Sequence, residues 1–283
     1  MKLGIHAMAW TSHWSDESLP LIDRVADLGL DFIEIPLMDV DEVHPAPIRA
    51  RLDDAGIDVV TSTVLSESTD ITSDDADVRE AGLEYLRWCV DVTSEMGAPQ
   101  FSGVIYAMHG KRPRDRPGRQ EWEWSAECLA RLAEHAAEAG ITLGLEPVNR
   151  YESPLLNTCE QAIRLADMIG APNVRIHLDT YHMNIEETSW TEPVALAGER
   201  LCHFHLCEND RGIPGSGLVD WEALFGALGE LRYDGYAALE SFVDVSVDMV
   251  AGTYVWRDLA PSGDVLVSEG TAFLRRLARQ NSL

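Results

Sequence analysis

The chain's 283 residues, 46% of them hydrophobic, can fill one large core and lie in the range where a (β/α)8 barrel forms a single domain. Its 48 acidic against 22 basic residues leave a formal net charge of -26, a field that repels nucleic-acid phosphates and acidic membrane surfaces and argues against both as partners. No stretch approaches the roughly 18 apolar residues of a membrane span. The opening MKLGIHAMAW lacks the basic and apolar regions of a secretory leader, so a soluble cytoplasmic protein is expected.

Nearly all positive charge is arginine, since Lys2 and Lys111 are the only lysines. An acid-rich, lysine-poor surface suits a salt-rich interior where self-repulsion is screened; the rival explanation is a codon bias toward arginine. Cys89, Cys128, Cys159, Cys202 and Cys207 are an odd set without CxxC spacing. They read as packing thiols in a reducing compartment rather than as disulfides or a zinc site.

In chain order, β-rich runs alternate with helical patterns. LGIHAMAW precedes LPLIDRVADLG, DFIEIPL precedes PAPIRARLDDAG, and DVVTSTVL precedes VREAGLEYLRWCVDVTSEMG. QFSGVIY then leads to EWSAECLARLAEHAAEAG, TLGLEPV to CEQAIRLADMIG, and VRIHLDT to a helix near VALAGE. LCHFHLC leads to WEALFGALGELR, and YAALESF to EGTAFLRRLARQ. Gly29, Gly56, Gly97, Gly140 and Gly170 stand where helix C-caps need them. Eight such pairs without a linker predict one α/β domain over residues 1–283, with a parallel sheet and right-handed crossovers. The longer connections, Thr69 to Ala76, His109 to Arg119 and Phe242 to Pro261, follow strands three, four and eight, where a barrel carries its active-site loops.

Strand parity decides between a barrel and an open sheet. Thr142, Gly144 and Glu146 oppose Leu143 and Leu145; Arg175, His177 and Asp179 oppose Ile176 and Leu178; His203, His205 and Cys207 oppose Phe204 and Leu206. An open sheet covered on both faces wants apolar residues in both parities, so one polar parity predicts a closed barrel with that face inward.

Glu146, Asp179, His205 and Glu240 end the last four strands, 33, 26 and 35 residues apart, each interval about one strand–helix unit. Singly, each is more often a hydrogen-bonding group or a helix cap than a ligand; jointly they rise from one rim. Three carboxylates and one imidazole suit a hard or borderline divalent cation and leave positions for substrate oxygens, pointing to metal-assisted chemistry on an oxygen-rich small molecule. Glu152, His182 and Arg211 lie just beyond three of these positions, on predicted loops over the rim, and read as substrate contacts. The PGSG loop reads as a tight turn ahead of a phosphate cradle.

LEPVNRYE, HLDTYHMNIEE, HFHLCENDRGIPGSG and GYAALESF, with KLGIHAMAWT and FIEIPLMD near the start, closely resemble the ketose 3-epimerases of the xylose-isomerase-like TIM-barrel superfamily, the D-tagatose and D-allulose (D-psicose) 3-epimerases. The resemblance spans nearly the whole chain. It implies that Glu146, Asp179, His205 and Glu240 hold one Mn2+, or else Co2+ or Mg2+, and that Glu146 and Glu240 are the catalytic pair epimerising a ketose at C3 through a cis-enediolate. It assigns Glu152, His182 and Arg211 to the sugar oxygens around C1 to C3, and implies a homodimer or a dimer of dimers. His6 stands beside the substrate where several members carry Tyr or Phe, and IYAMHGKRPRDRPG departs from the familiar loop, so the preferred sugar stays open. Competing readings are an aldose–ketose or hydroxypyruvate-type isomerase on the same metal site, a multi-zinc phosphodiester hydrolase, which the acidic surface opposes, and a non-catalytic sugar binder.

Overall fold

A computed structural model describes residues 1–243 and 252–283. Eight parallel strands, β1 (Lys2–His6), β2 (Phe32–Pro36), β3 (Asp58–Leu65), β4 (Gln100–Met108), β5 (Thr142–Leu145), β6 (Val174–Asp179), β7 (Leu201–Leu206) and β8 (Tyr236–Leu239), pair in sequence order and close into a barrel. Closure is through β1 and β8, with Leu3 opposite Ala237 and Ile5 opposite Leu239.

The outward parity carries Ile5, Ile33, Ile35, Leu143, Leu145, Ile176, Leu178, Phe204 and Leu206, all buried in one continuous core with the helices. Burying such a side chain is worth about 1.5–3 kcal/mol, which fixes the register of each strand. A separate apolar cluster of Phe32, Val60 and Ala238, with Tyr236 packed on it, lies apart from that core. Gly144 is the residue that lets β4, β6 and β7 approach: a Cβ there would stand 2.7 Å from Ser102 Cβ. The polar parity holds at the C-terminal ends, where His177, Asp179, His203 and His205 are buried, but Arg175, at the other end of β6, is exposed.

The helices among the described residues are α1 (Pro20–Asp27), α2 (Pro45–Ala55), α3 (Ala76–Met96), α4 (Arg119–Glu138), α5 (Cys159–Ile169), α6 (Thr180–Glu186), α7 (Glu192–Ala197), α8 (Trp221–Leu231) and α9 (Gly263–Gln280). All five predicted C-cap glycines are left-handed, with φ from +66° to +78°. Asp75 caps α3 through Asp77 N, Thr158 caps α5 through Gln161 N, and Ser262 caps α9 through Val265 N.

Three local expectations need correction. His182 lies on α6, a short helix that starts at the end of β6, rather than on a loop. The connections over 146–158 and 207–220, not singled out from sequence, are longer than those after β3 and β4 and carry site residues. The last helix begins at Gly263, ahead of EGTAF. Of the predicted Phe242–Pro261 connection, residues 244–251 lie outside the described residues.

A candidate metal centre and active site at the barrel mouth

The strand ends bring Glu146, Asp179 and His205 within reach of one another, and Glu240 stands against the same His205 nitrogen. His205 Nδ1 lies 3.4 Å from Glu146 Oε1, 3.8 Å from Asp179 Oδ2 and 3.3 Å from Glu240 Oε2. Donors sharing a small cation, with bonds of about 2.1 Å, stand about 3 Å or more apart, so this spacing fits one ion. His205 Nδ1 is buried without a hydrogen-bond partner and faces three carboxylates; burial opposes its charge, yet Glu240, Glu34 and Glu146 raise His205 well above the ordinary imidazole range. Donor set and orphaned nitrogen together fit a divalent cation.

Local chemistry aims each ligand. Asp179 divides its oxygens: Oδ1 accepts from Tyr181 N at 2.7 Å, capping α6, and Oδ2 faces both His205 Nδ1 and the Arg211 guanidinium. Thr180 ties the ends of β6 and β7, its Oγ1 donating to Cys207 O at 2.6 Å and accepting from Cys207 N at 2.8 Å. The opposite nitrogen of His205, Nε2, lies 3.0 Å from Glu34 Oε2 on β2, and His203 Nε2 lies 2.7 Å from the same oxygen. Burial opposes ionisation of Glu34, yet His205, His203 and His6 hold it well below the usual carboxylate range.

Burial also raises Glu146, with Glu240 adding to the rise, and pushes Asp179 up to about 6. Glu240 feels the same burial but falls well below its ordinary value, because Arg211 and His205 stabilise its charge. A cation at their centre would favour all three as carboxylates.

Asp179, Cys207 and Glu240 form a second triangle, and Arg211 already fills it. Arg211 Nη1 donates to Asp179 Oδ2 at 3.0 Å, contacts Cys207 Sγ at 2.8 Å and pairs with Glu240 Oε2. Its guanidinium is held between the rings of Tyr181 and Phe242, 4.3 and 5.1 Å from their centroids. Arg211 itself is in the left-handed region at φ +65°.

Above the cluster opens a cavity of about 420 Å³, within the range of small-molecule sites. Glu152, His182, Arg211 and His6 all line it, together with His109 and the apolar Val104, Val148 and Phe242. His182 Nδ1 accepts from Asn149 N and Nδ2 at 3.1 and 3.0 Å, so its Nε2 offers the cavity an N–H. Burial lowers His182 toward the neutral form, against the pull of Glu152. Glu152 accepts from Asn149 Nδ2 at 2.7 Å and stands 3.1 Å from His109 Nε2. Burial raises it, but His182 and His109 outweigh that and bring it down to about 2, so it remains an acceptor. His6 contacts Ser62 Oγ at 3.1 Å through Nε2 and accepts from Met8 N through Nδ1.

The PGSG loop is a turn, as expected. Gly215 N and Val219 N both donate to the buried carboxylate of Glu208, as does Trp221 Nε1, so these N–H groups are already satisfied.

Sequence reasoning missed Glu34, His203, Asn149 and His109. The available signal for Glu34 was a lone carboxylate within the apolar FIEIP, and for His203 its shared parity with His205.

The chain matches the xylose isomerase-like TIM barrel family over residues 22–277. It is 38% identical over 280 residues to the ketose 3-epimerase of Arthrobacter globiformis, covering 97% of this chain and 96% of that one. To the L-ribulose 3-epimerase of Methylomonas sp. strain DH-1 it is 37% identical over 279 residues, covering 98% and 97%. Its fold also matches the crystal structure of D-allulose 3-epimerase from Methylomonas sp. in complex with D-allulose, with a TM-score of 0.93 at 36% identity over 98% of this chain and 96% of that one. The chain belongs to the ketose 3-epimerases of the xylose isomerase-like TIM-barrel family.

Proposed function

We propose that the protein epimerises a free ketose at C3, of the D-allulose/D-fructose, D-tagatose/D-sorbose or L-ribulose type, with one divalent ion held by Glu146, Asp179, His205 and Glu240. Mn2+ is the first choice, with Co2+ or Mg2+ as alternatives. The observation that carries this reading is the convergence of His205 Nδ1 with three carboxylates, 3.3 to 3.8 Å away, beneath the cavity. When bound, the ion would supply Lewis acidity for the charge left on the sugar after deprotonation.

The C3 proton lies next to the C2 carbonyl, and inversion requires its removal from one face and return to the other. Glu146 on the β5 side and Glu240 on the β8 side flank the cluster, and we assign one to removal and the other to return. The Nε2–H of His182 and the guanidinium of Arg211 would donate to sugar oxygens while Glu152 accepts from a hydroxyl, orienting C1 to C3. The apolar wall of Val104, Val148 and Phe242 would exclude water from the far side of the sugar. His6 and His109 border the same cavity and would contact the substrate.

Family likeness supports a homodimer or a dimer of dimers. Light scattering checks it. Five buried free thiols fit a reducing, cytoplasmic setting.

The test is incubation in D2O with D-fructose, D-allulose, D-tagatose and L-ribulose, before and after chelation and with Mn2+ restored. Deuterium at C3 with formation of the C3 epimer is expected. Deuterium at C1 would instead establish aldose–ketose isomerisation, and a bound sugar that never exchanges in saturating Mn2+ would leave only a binding protein.

A further inference from the structure

Glu34 rises from β2, far in sequence from the strands that carry the site, and is fully buried. One of its oxygens, Oε2, faces two imidazoles, His203 Nε2 at 2.7 Å and His205 Nε2 at 3.0 Å. The other oxygen has no hydrogen-bond partner and stands 3.7 Å from His6 Nε2. A carboxylate offers only acceptors, so both imidazoles present their Nε2 proton to the same atom. For His205 this leaves Nδ1 as the nitrogen free to bind an ion. That nitrogen is the one that meets Glu146, Asp179 and Glu240.

We infer that Glu34 is a positioning residue for the metal centre: it holds the Nε2 proton of His205 and, with His203 docked on the same oxygen, fixes the tautomer and ring orientation that aim Nδ1 at the three carboxylates. The inference rests on the metal-centre reading above. A buried carboxylate is costly and adds little to stability that an apolar residue of similar volume would not also give. Its return is realised at the ligand it orients, where outer partners of metal-bound histidines typically change affinity 10- to 100-fold.

The experiment compares chelator-stripped wild type with Glu34→Met, Glu34→Gln and His203→Gln, titrated with Mn2+ by calorimetry in the absence of sugar. Imidazole 15N spectra of the metal-free proteins accompany it. Glu34→Met should bind Mn2+ about 10- to 100-fold more weakly. Glu34→Gln keeps an oxygen in place but loses its charge, and should fall between that variant and wild type; His203→Gln should lose less than Glu34→Met. Once titrated to its neutral form, His205 should carry its proton at Nε2 in wild type and become a mixture of tautomers in Glu34→Met, a change that a purely structural role would not produce.

Mn2+ affinity within about twofold of wild type in both Glu34 variants, or a neutral wild-type His205 with its proton at Nδ1, would overturn the inference. Should Glu34→Met fail to fold, the Glu34→Gln titration and the wild-type spectrum each decide the matter. Failure to convert any ketose would leave these readouts untouched. A wild type that binds no Mn2+ would remove the metal centre and this inference together, so the two failures are distinguishable.

Discussion

A buried carboxylate needs a cation or a donor, and Glu146, Asp179 and Glu240 crowd three charges around one imidazole and one guanidinium. Glu146→Gln and Glu240→Gln each keep the volume and remove the base. Each should lower turnover by about 10^2- to 10^4-fold, the usual worth of a positioned acid or base, while the circular dichroism spectrum stays native. Either variant turning over at the wild-type rate would remove that residue from the catalytic pair. These two glutamates were legible in the sequence because regular spacing and inward parity place strand-end residues without knowledge of the whole barrel. Glu34 was not legible in the same way: it sits within β2, and its partners are 169 and 171 residues away, adjacent only once the barrel has closed. His182 was legible as a residue, but its donor orientation depends on Asn149, whose role no spacing rule reveals.

At the level of elements, the loops are held by buried polar anchors. Glu208, fully buried, accepts from Gly215 N, Val219 N and Trp221 Nε1, folding the 207–220 connection that carries Arg211. Glu208→Ala leaves several donors unmatched, each costing about 1–3 kcal/mol, and should lower the melting temperature and raise KM through a displaced Arg211. Retention of both wild-type values would mean the loop is ordered by something else. The connections after β3 and β4 are joined by Lys111, which donates to Asp70 Oδ2 at 2.6 Å. Burial raises Asp70, but hydrogen bonds from Lys111 and Thr72 overcome that and hold it below its ordinary 3.8. A depressed folded pKa means this contribution is complete above the unfolded value and is lost as pH falls through the folded one. Asp70→Asn should therefore melt below wild type at pH 7, with the gap closing below about pH 4; a gap independent of pH would assign it to packing. In α3, a Cβ on Gly82 would run into the Thr69 carbonyl and Ile71, so Gly82→Ala should cost about 1–3 kcal/mol in chemical denaturation. The C-terminal ends of helices were readable because glycine caps act locally, whereas the start of the last helix, capped by Ser262, was placed too late. The short α6 was not readable, because Asp179 serves as both strand end and cap, and seven residues give too little periodicity.

For the whole molecule, alternating elements and polar parity together specified a closed barrel, since an open sheet has no use for a polar inner face. The surplus of acidic residues makes a separate claim. If self-repulsion limits stability, the melting temperature should climb between dilute buffer and molar KCl; an unchanged value would assign the lysine-poor composition to codon usage. Chelation should lower the melting temperature, and Mn2+ at about 100 times its Kd should restore about 2.7 kcal/mol. The account depends most on one ion gripped by four strand ends, and anomalous diffraction from Mn2+-soaked crystals at the manganese edge tests that directly. A single strong peak within bonding distance of Glu146, Asp179, His205 and Glu240 is the predicted result; no peak there, or one bound by other residues, would contradict it.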